Sequence, residues 1–217
     1  FLAINGFHSS FWDGVMFGIS AKFTWVPLYV AVLAVIIKNW KRESIWLVIA
    51  LVGCIIIISD QIASGLIKEL VQRLRPSHAP ELRNMVHLVN GYSGGQFGFV
   101  SSHAANTFGF AFLSSTLFKN RKYTSVIFCW AVLVSYSRMY LGVHYPGDIL
   151  AGIISGTIIA VIICIVLNGF RSFLLNKKFL NNRESPYIKD PDIRITTGVI
   201  YLSVLCIAVY ALIATYS

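Results

Sequence analysis

The chain has 217 residues, 56% of them hydrophobic and 12% charged, with a mean hydropathy of +0.70 and a formal charge of +9. An ordinary soluble domain carries roughly 25% charged residues, so this composition excludes one and makes the bilayer the solvent for most of the chain. The positive charge does not imply a nucleic-acid partner, because Lys and Arg beside apolar runs set membrane orientation.

The chain opens at FLAINGFHSSFWDG without a basic stretch, so no cleavable signal peptide is expected there. Residues 1–20 set Phe1, Leu2, Phe7, Phe11, Trp12, Val15, Met16 and Phe17 among polar positions. That spacing predicts an amphipathic helix lying in the membrane interface. Six runs then approach the about 20 apolar residues a helical span needs, near 23–38, 44–60, 99–118, 124–140, 148–169 and 195–215. The expected fold is an all-α integral membrane protein of six transmembrane helices, with residues 1–217 as a single domain. Cys54, Cys129, Cys164 and Cys206 fall inside apolar runs without metal-ligand spacing, which predicts core positions for them.

Six spans send alternate loops to opposite faces. One face receives Lys38, Lys41, Arg42, Lys119, Arg121, Lys122, Arg171, Lys177, Lys178, Arg183, Lys189 and Arg194; the other receives Lys22, Lys68, Arg73, Arg75, Arg83 and Arg138. Because Lys and Arg are retained on the cytoplasmic side, the richer face is inside, and both termini and all five histidines are expected outside. The outer loop at about 61–98, with Pro76, Pro80, Gly91, Gly94 and Gly95, is long enough to carry function. The inner stretch 170–194, with Pro186 and Pro191, reads as a connector.

Three polar groups interrupt the apolar pattern, and this topology brings all three to the outer face. In Lys68-Glu-Leu-Val-Gln-Arg-Leu-Arg75-Pro76, a helix continuing from the second span would set Lys68 and Arg75 two turns apart and pointing one way. At Phe99-Val100-Ser101-Ser102-His103 the third span begins, and its free N–H groups and positive dipole end suit an anion. Ser137-Arg138 and His144-Tyr145-Pro146-Gly147-Asp148 join the fourth and fifth spans, with Asp148 close enough in sequence to hold a ring nitrogen of His144. Taken singly, each is an ordinary feature: a snorkelling cation, a helix cap, an interfacial histidine, a turn. Together they set three cations, two histidines, a hydroxyl and a carboxylate on one face. His78, Glu81, Arg83 and His87 read as solvated loop residues, and Trp25, Trp40, Trp46, Tyr140 and Tyr145 as interfacial anchors.

These residues give the sequence a resemblance to the type 2 phosphatidic acid phosphatase superfamily, whose signature is KxxxxxxRP, then PSGH, then SRxxxxxHxxxD. Lys68 to Pro76 and Ser137 to Asp148 match the first and third motifs at full spacing. In the middle motif Ser101 and His103 are kept, while Val100 and Ser102 stand where the family has proline and glycine. The resemblance covers a motif core of about 45–170. It implies that His144 attacks phosphorus, with Asp148 fixing its tautomer, and that His103 protonates the leaving oxygen and later helps activate water. It further implies that Lys68, Arg75, Arg138, Ser101 and the N–H groups near Ser102 and His103 bind the phosphoryl oxygens. No metal and no cofactor are expected, since the cations supply the electrostatic stabilisation and the acidic residues are not clustered as magnesium would require.

The implied activity is removal of phosphate from a lipid phosphate or diphosphate at the outer face of a bacterial inner membrane. Undecaprenyl diphosphate is placed first, followed by lipid A, phosphatidylglycerol phosphate and phosphatidic acid. The partners expected are the lipid substrate and the bilayer, with no obligate protein partner. A soluble sugar phosphate is a further candidate, because such phosphatases share these motifs. Vanadate-dependent peroxidases share the anion site but are soluble. A phosphate transporter would leave His103, His144 and Asp148 unexplained.

Overall fold

The computed structural model describes residues 1–39, 49–50, 53, 57–58, 60–82, 84–176 and 192–216. Helices account for the regular structure of these residues. They are α1 (Leu2–Asn5), α2 (Ser10–Ser20), α3 (Val26–Asn39), α4 (Lys68–Val71), α5 (Ser102–Phe118), α6 (Arg121–Tyr140), α7 (Pro146–Asn176) and α8 (Ile193–Tyr216). A 3-10 turn, Lys22–Trp25, leads into α3, and a π-helical stretch, Gln61–Ile67, runs into α4. Most of the run expected to form a second span, and most of the inner stretch 170–194, lie outside the described residues.

Among the described residues, three helical stretches are long and apolar enough to cross a membrane: Lys22–Asn39, Pro146–Gly169 and Ile193–Tyr216. Their outward faces fit that role. On α7, Leu150, Ile154, Ile158, Ile162 and Ile165 are exposed at near-helical spacing, so one apolar stripe faces outward while the other face packs.

Short connections force α5, α6 and α7 to run antiparallel, because two or five residues permit only a reversal. Asn120 caps α6 by accepting from Tyr123 N at 3.1 Å, directly after Lys119 ends α5 in the left-handed conformation. The start of α5, the end of α6 and the start of α7 therefore meet at one end of the bundle. Helix α5 packs closely on α7, where a Cβ at Gly152 or Gly156 would lie 2.6 Å from Ser101 O or 2.1 Å from Ala105 O. The core beneath this end is an aromatic cluster in which Trp130 meets Trp25, Tyr29 and Phe110 edge-on at centroid distances of 5.4, 6.4 and 6.1 Å. Trp25 also donates from Nε1 to Ile19 O at 2.8 Å, tying α2 to that cluster.

The N-terminal amphipathic segment is two helices rather than one, broken at Gly6–Ser9. Its buried face, Val15, Met16 and Ile19, packs on α8 and α6, while Phe7 and Trp12 remain exposed. The expected helix from Lys68 to Arg75 is corrected. It ends at Val71, and Gln72 is left-handed with φ 50°, which ends the helical ladder before Pro76. The cysteines are corrected too: Cys164 is buried, but Cys129 and Cys206 are exposed on outward helix faces. Cys54 lies outside the described residues.

Candidate active site

Although the helix stops early, Arg75 still turns inward, because the strand-like segment that follows pairs with residues 96–98. Leu74 bridges Phe97, Arg75 N donates to Gln96 O at 3.1 Å, and Gly98 N donates to Arg73 O at 2.8 Å. The guanidinium then lies over Gly94, whose φ of +69° and missing side chain leave room for it. Its Nε donates to Phe97 O at 3.1 Å, and its Nη1 lies 3.1 Å from both Val143 O and His144 Nε2.

Lys68 sits at the start of α4 and donates from Nζ to Ser102 Oγ at 2.7 Å. Arg138, buried near the end of α6, donates from Nη1 to Ser20 Oγ and from Nη2 to Tyr92 OH at 3.0 Å. These groups and His103 line one cavity of about 560 Å³ together with Lys22, Asp60, Tyr92 and Asn106. Trp25, Tyr29 and Val134 give it an apolar wall. Four cations and one carboxylate make it a strong anion site.

At the wall of the cavity His144 is buried, and behind it so is Asp148. His144 Nδ1 lies 3.4 Å from Asp148 Oδ2, a close contact short of hydrogen-bond geometry. The carboxylate is itself held by Tyr145 N at 2.8 Å and Arg73 Nη1 at 3.1 Å, and the Arg73 guanidinium stacks 4.2 Å from the Tyr145 ring centroid. One backbone bond joins the two motifs: Ser101 N donates to Asp148 O at 3.0 Å.

Electrostatics follow from this crowding. Burial, reinforced by Arg75, Arg138 and Lys68, holds the His144 imidazolium pKa well below its ordinary range, so the ring is neutral. Burial and the neighbouring Arg75 lower the Lys68 ammonium to about 8. A neutral imidazole facing clustered cations can act as a nucleophile toward an anion that the cations have gathered.

Of the residues expected from the sequence, Lys68, Arg75, Ser102, His103, Arg138 and His144 line the cavity, and Asp148 stands behind His144. Ser101 does not line it. Fully buried, it caps α5 by accepting from Ala104 N at 3.4 Å. Sequence reasoning missed Lys22, which lines the cavity, and Tyr92 and Arg73, whose contacts with Arg138 and Asp148 cross 46 and 75 residues of chain. Only Arg73, two residues before Arg75, was close enough to a motif to be suspected.

The family model described as the PAP2 superfamily matches residues 47–172. A lipid A 4'-phosphatase of Bacteroides thetaiotaomicron is 43% identical over 157 residues, covering 71% of this chain and 69% of that protein. A lipid A 4'-phosphatase of Porphyromonas gingivalis is 38% identical over 159 residues, covering 73% and 67%. An undecaprenyl-diphosphatase of Sulfolobus acidocaldarius is 30% identical over 142 residues, covering 63% and 60%. The crystal structure of a transmembrane PAP2-type phosphatidylglycerolphosphate phosphatase from Bacillus subtilis superimposes with a TM-score of 0.56 at 25% identity, covering 79% of this chain and 82% of that one.

Proposed function

The chain belongs to the PAP2 superfamily and is a membrane phosphatase, and from that premise we propose that it hydrolyses a lipid phosphate through a phosphohistidine formed on His144. The observation that carries this reading is the buried His144, its Nε2 3.1 Å from Arg75 Nη1 at the wall of a cavity also lined by Lys68, His103 and Arg138. A phosphoryl group entering there takes up the Arg75 donors and releases the Nε2 lone pair. The Nε2–P bond forms as the P–O bond to the lipid breaks, and His103 delivers a proton to the leaving oxygen. Water then attacks phosphorus, His103 takes its proton, and the Nε2–P bond breaks to release inorganic phosphate. Asp148, facing Nδ1, stabilises the positive ring in between. Lys68, Arg75, Arg138 and the N–H groups of Ser102 and His103 bind the equatorial oxygens. Ser101 acts one step back, by capping the helix that presents those N–H groups. Each step is assigned to a side chain, so turnover is expected to persist in chelator.

The substrate that the relatives favour is a phosphomonoester on a lipid-linked sugar, of the lipid A 4'-phosphate kind. Undecaprenyl diphosphate, placed first by the sequence alone, becomes the second reading on the strength of the 30% relative. We place the six spans in a bacterial inner membrane with the cavity facing the periplasm or exterior. Lys38, Lys119, Arg121, Lys122 and Arg194 lie at the opposite helix ends and support this orientation.

The test is phosphate release by the purified protein in chelator from lipid A, undecaprenyl diphosphate, phosphatidylglycerol phosphate and phosphatidic acid, with a soluble sugar phosphate as competitor. His144→Ala is expected to lower kcat at least about 10³-fold with the fold intact. Unchanged turnover in that variant would overturn the mechanism. A preference for undecaprenyl diphosphate would reverse the substrate order.

A further inference from the structure

Outside the catalytic cavity, His8, Asp13 and His87 converge on the flank of the same end of the bundle. One donor atom from each lies within 4.8 Å of the others. His87 Nε2 is 2.8 Å from Asp13 Oδ2, and the His8 and His87 rings stack with centroids 3.7 Å apart and 2° between planes. None of the three lines the catalytic cavity, and the proposed phosphoryl chemistry uses none of them.

The support behind these donors is more rigid than a solvated loop requires. Asn5, fully buried, grips both ends of the His87 backbone: its Oδ1 accepts from His87 N at 2.8 Å and its Nδ2 donates to His87 O at 2.9 Å. The same Nδ2 lies 2.7 Å from Tyr140 O. The buried Tyr140 hydroxyl donates to Asp13 Oδ1 at 2.7 Å, which orients the carboxylate and leaves Oδ2 directed at the histidines. A ligating carboxylate is commonly held this way by an outer partner that fixes its direction.

We propose that His8, Asp13 and His87 form a binding site for a divalent transition metal of the zinc class, separate from the catalytic cavity. Two imidazoles and one carboxylate are a borderline-soft donor set that suits zinc or cobalt and not magnesium or calcium. Tetrahedral zinc with bonds of about 2.1 Å sets its donors about 3.4 Å apart. The Asp13–His87 pair, in hydrogen-bond contact at 2.8 Å, opens by about 0.6 Å when the ion takes the place of the shared proton, and His8 supplies the larger adjustment. It is exposed and sits in the turn Gly6–Ser9 between α1 and α2, so its ring can turn out of the stack on His87 to bring a nitrogen to the ion. Three protein ligands leave a fourth position for water.

The location assigns a bracing role. A side chain at Gly142 would meet Val86, His87 O and Asn5 Nδ2 within 3.3 Å, so the loop carrying His144 packs directly on the residues that hold the site. A bound ion would pin the N-terminal helices, the outer loop and that active-site loop together.

The experiment uses the full chain, purified in detergent, freed of any affinity tag, stripped with chelator and titrated with zinc(II) by equilibrium dialysis. The expected result is one saturable equivalent per chain, a melting temperature that rises with zinc, and visible absorption typical of tetrahedral cobalt(II) when cobalt replaces it. His8→Ala and His87→Ala should each weaken binding more than tenfold, and Tyr140→Phe, which keeps the ring but loses the hydroxyl, by about tenfold. If His87→Ala does not fold, the exposed His8→Ala decides. Binding that does not saturate, is unchanged in His8→Ala, or is matched by magnesium would mean an adventitious ion only and overturn the assignment. Because the readout is metal binding, its failure leaves the phosphatase reading untouched.

Discussion

Ser102 stands at a position where the family motif has glycine, and its hydroxyl is the acceptor that Lys68 reaches at 2.7 Å. A glycine would keep the backbone N–H and lose that positioning contact. Ser102→Gly is therefore expected to raise KM about fivefold with kcat nearly unchanged, the effect of losing roughly 1 kcal/mol of hydrogen bonding. Steady-state kinetics on one lipid substrate check it. The pH profile follows from the same neighbourhood. As pH rises through about 8, Lys68 loses its proton and with it a phosphate-binding charge, so kcat/KM should fall there. Lys68→Arg keeps the charge and should move that alkaline limb upward. At the acid end, His144 protonates only well below 6.5, so activity should persist at pH 6.5, where an unperturbed imidazole would already be half protonated. An acid limb centred near 6.5 would show that the nucleophile is less buried than the structure has it. The motif residues could be picked out from sequence because their types and spacing carry chemistry. Tyr92 and Ser20, which hold Arg138 from distant segments, could not.

At the scale of elements, the close approach of α5 to α7 brings Ser101–His103 against His144–Asp148. The signal was present as Gly152-Ile-Ile-Ser-Gly156, a small-xxx-small pair that lets membrane helices approach closely. Gly156→Leu would drive a side chain into Ala105 O, 2.1 Å from the Cβ position. It is expected to cost about 2 kcal/mol or more of stability. It should also lower activity by parting His103 from His144, measured by thermal unfolding in detergent alongside turnover. Arg75 shows the opposite limit of sequence reasoning. Helical periodicity carried it to the right side of the molecule for the wrong reason, since Gln72 ends the helix and the pairing of Leu74 with Phe97 does the aiming.

For the whole molecule, the six-span orientation is tested by impermeant thiol labelling of intact cells, in a background without native cysteines. Met85→Cys, in the exposed loop between α4 and α5, should be labelled from outside, and Lys122→Cys, at the opposite helix ends, should not. Labelling with the reverse pattern would invert the proposed topology. Hydropathy, charge placement and three ordered motifs suffice to read a helical membrane phosphatase from the sequence, because span length, charge retention and reactive side chains are local properties of the chain. Tertiary structure alone decided the distances: the Arg75–His144 contact, the Ser101 backbone bond to Asp148, and the convergence of His8, Asp13 and His87. Each depends on packing between segments far apart in sequence, where no periodicity records which side chain will face which.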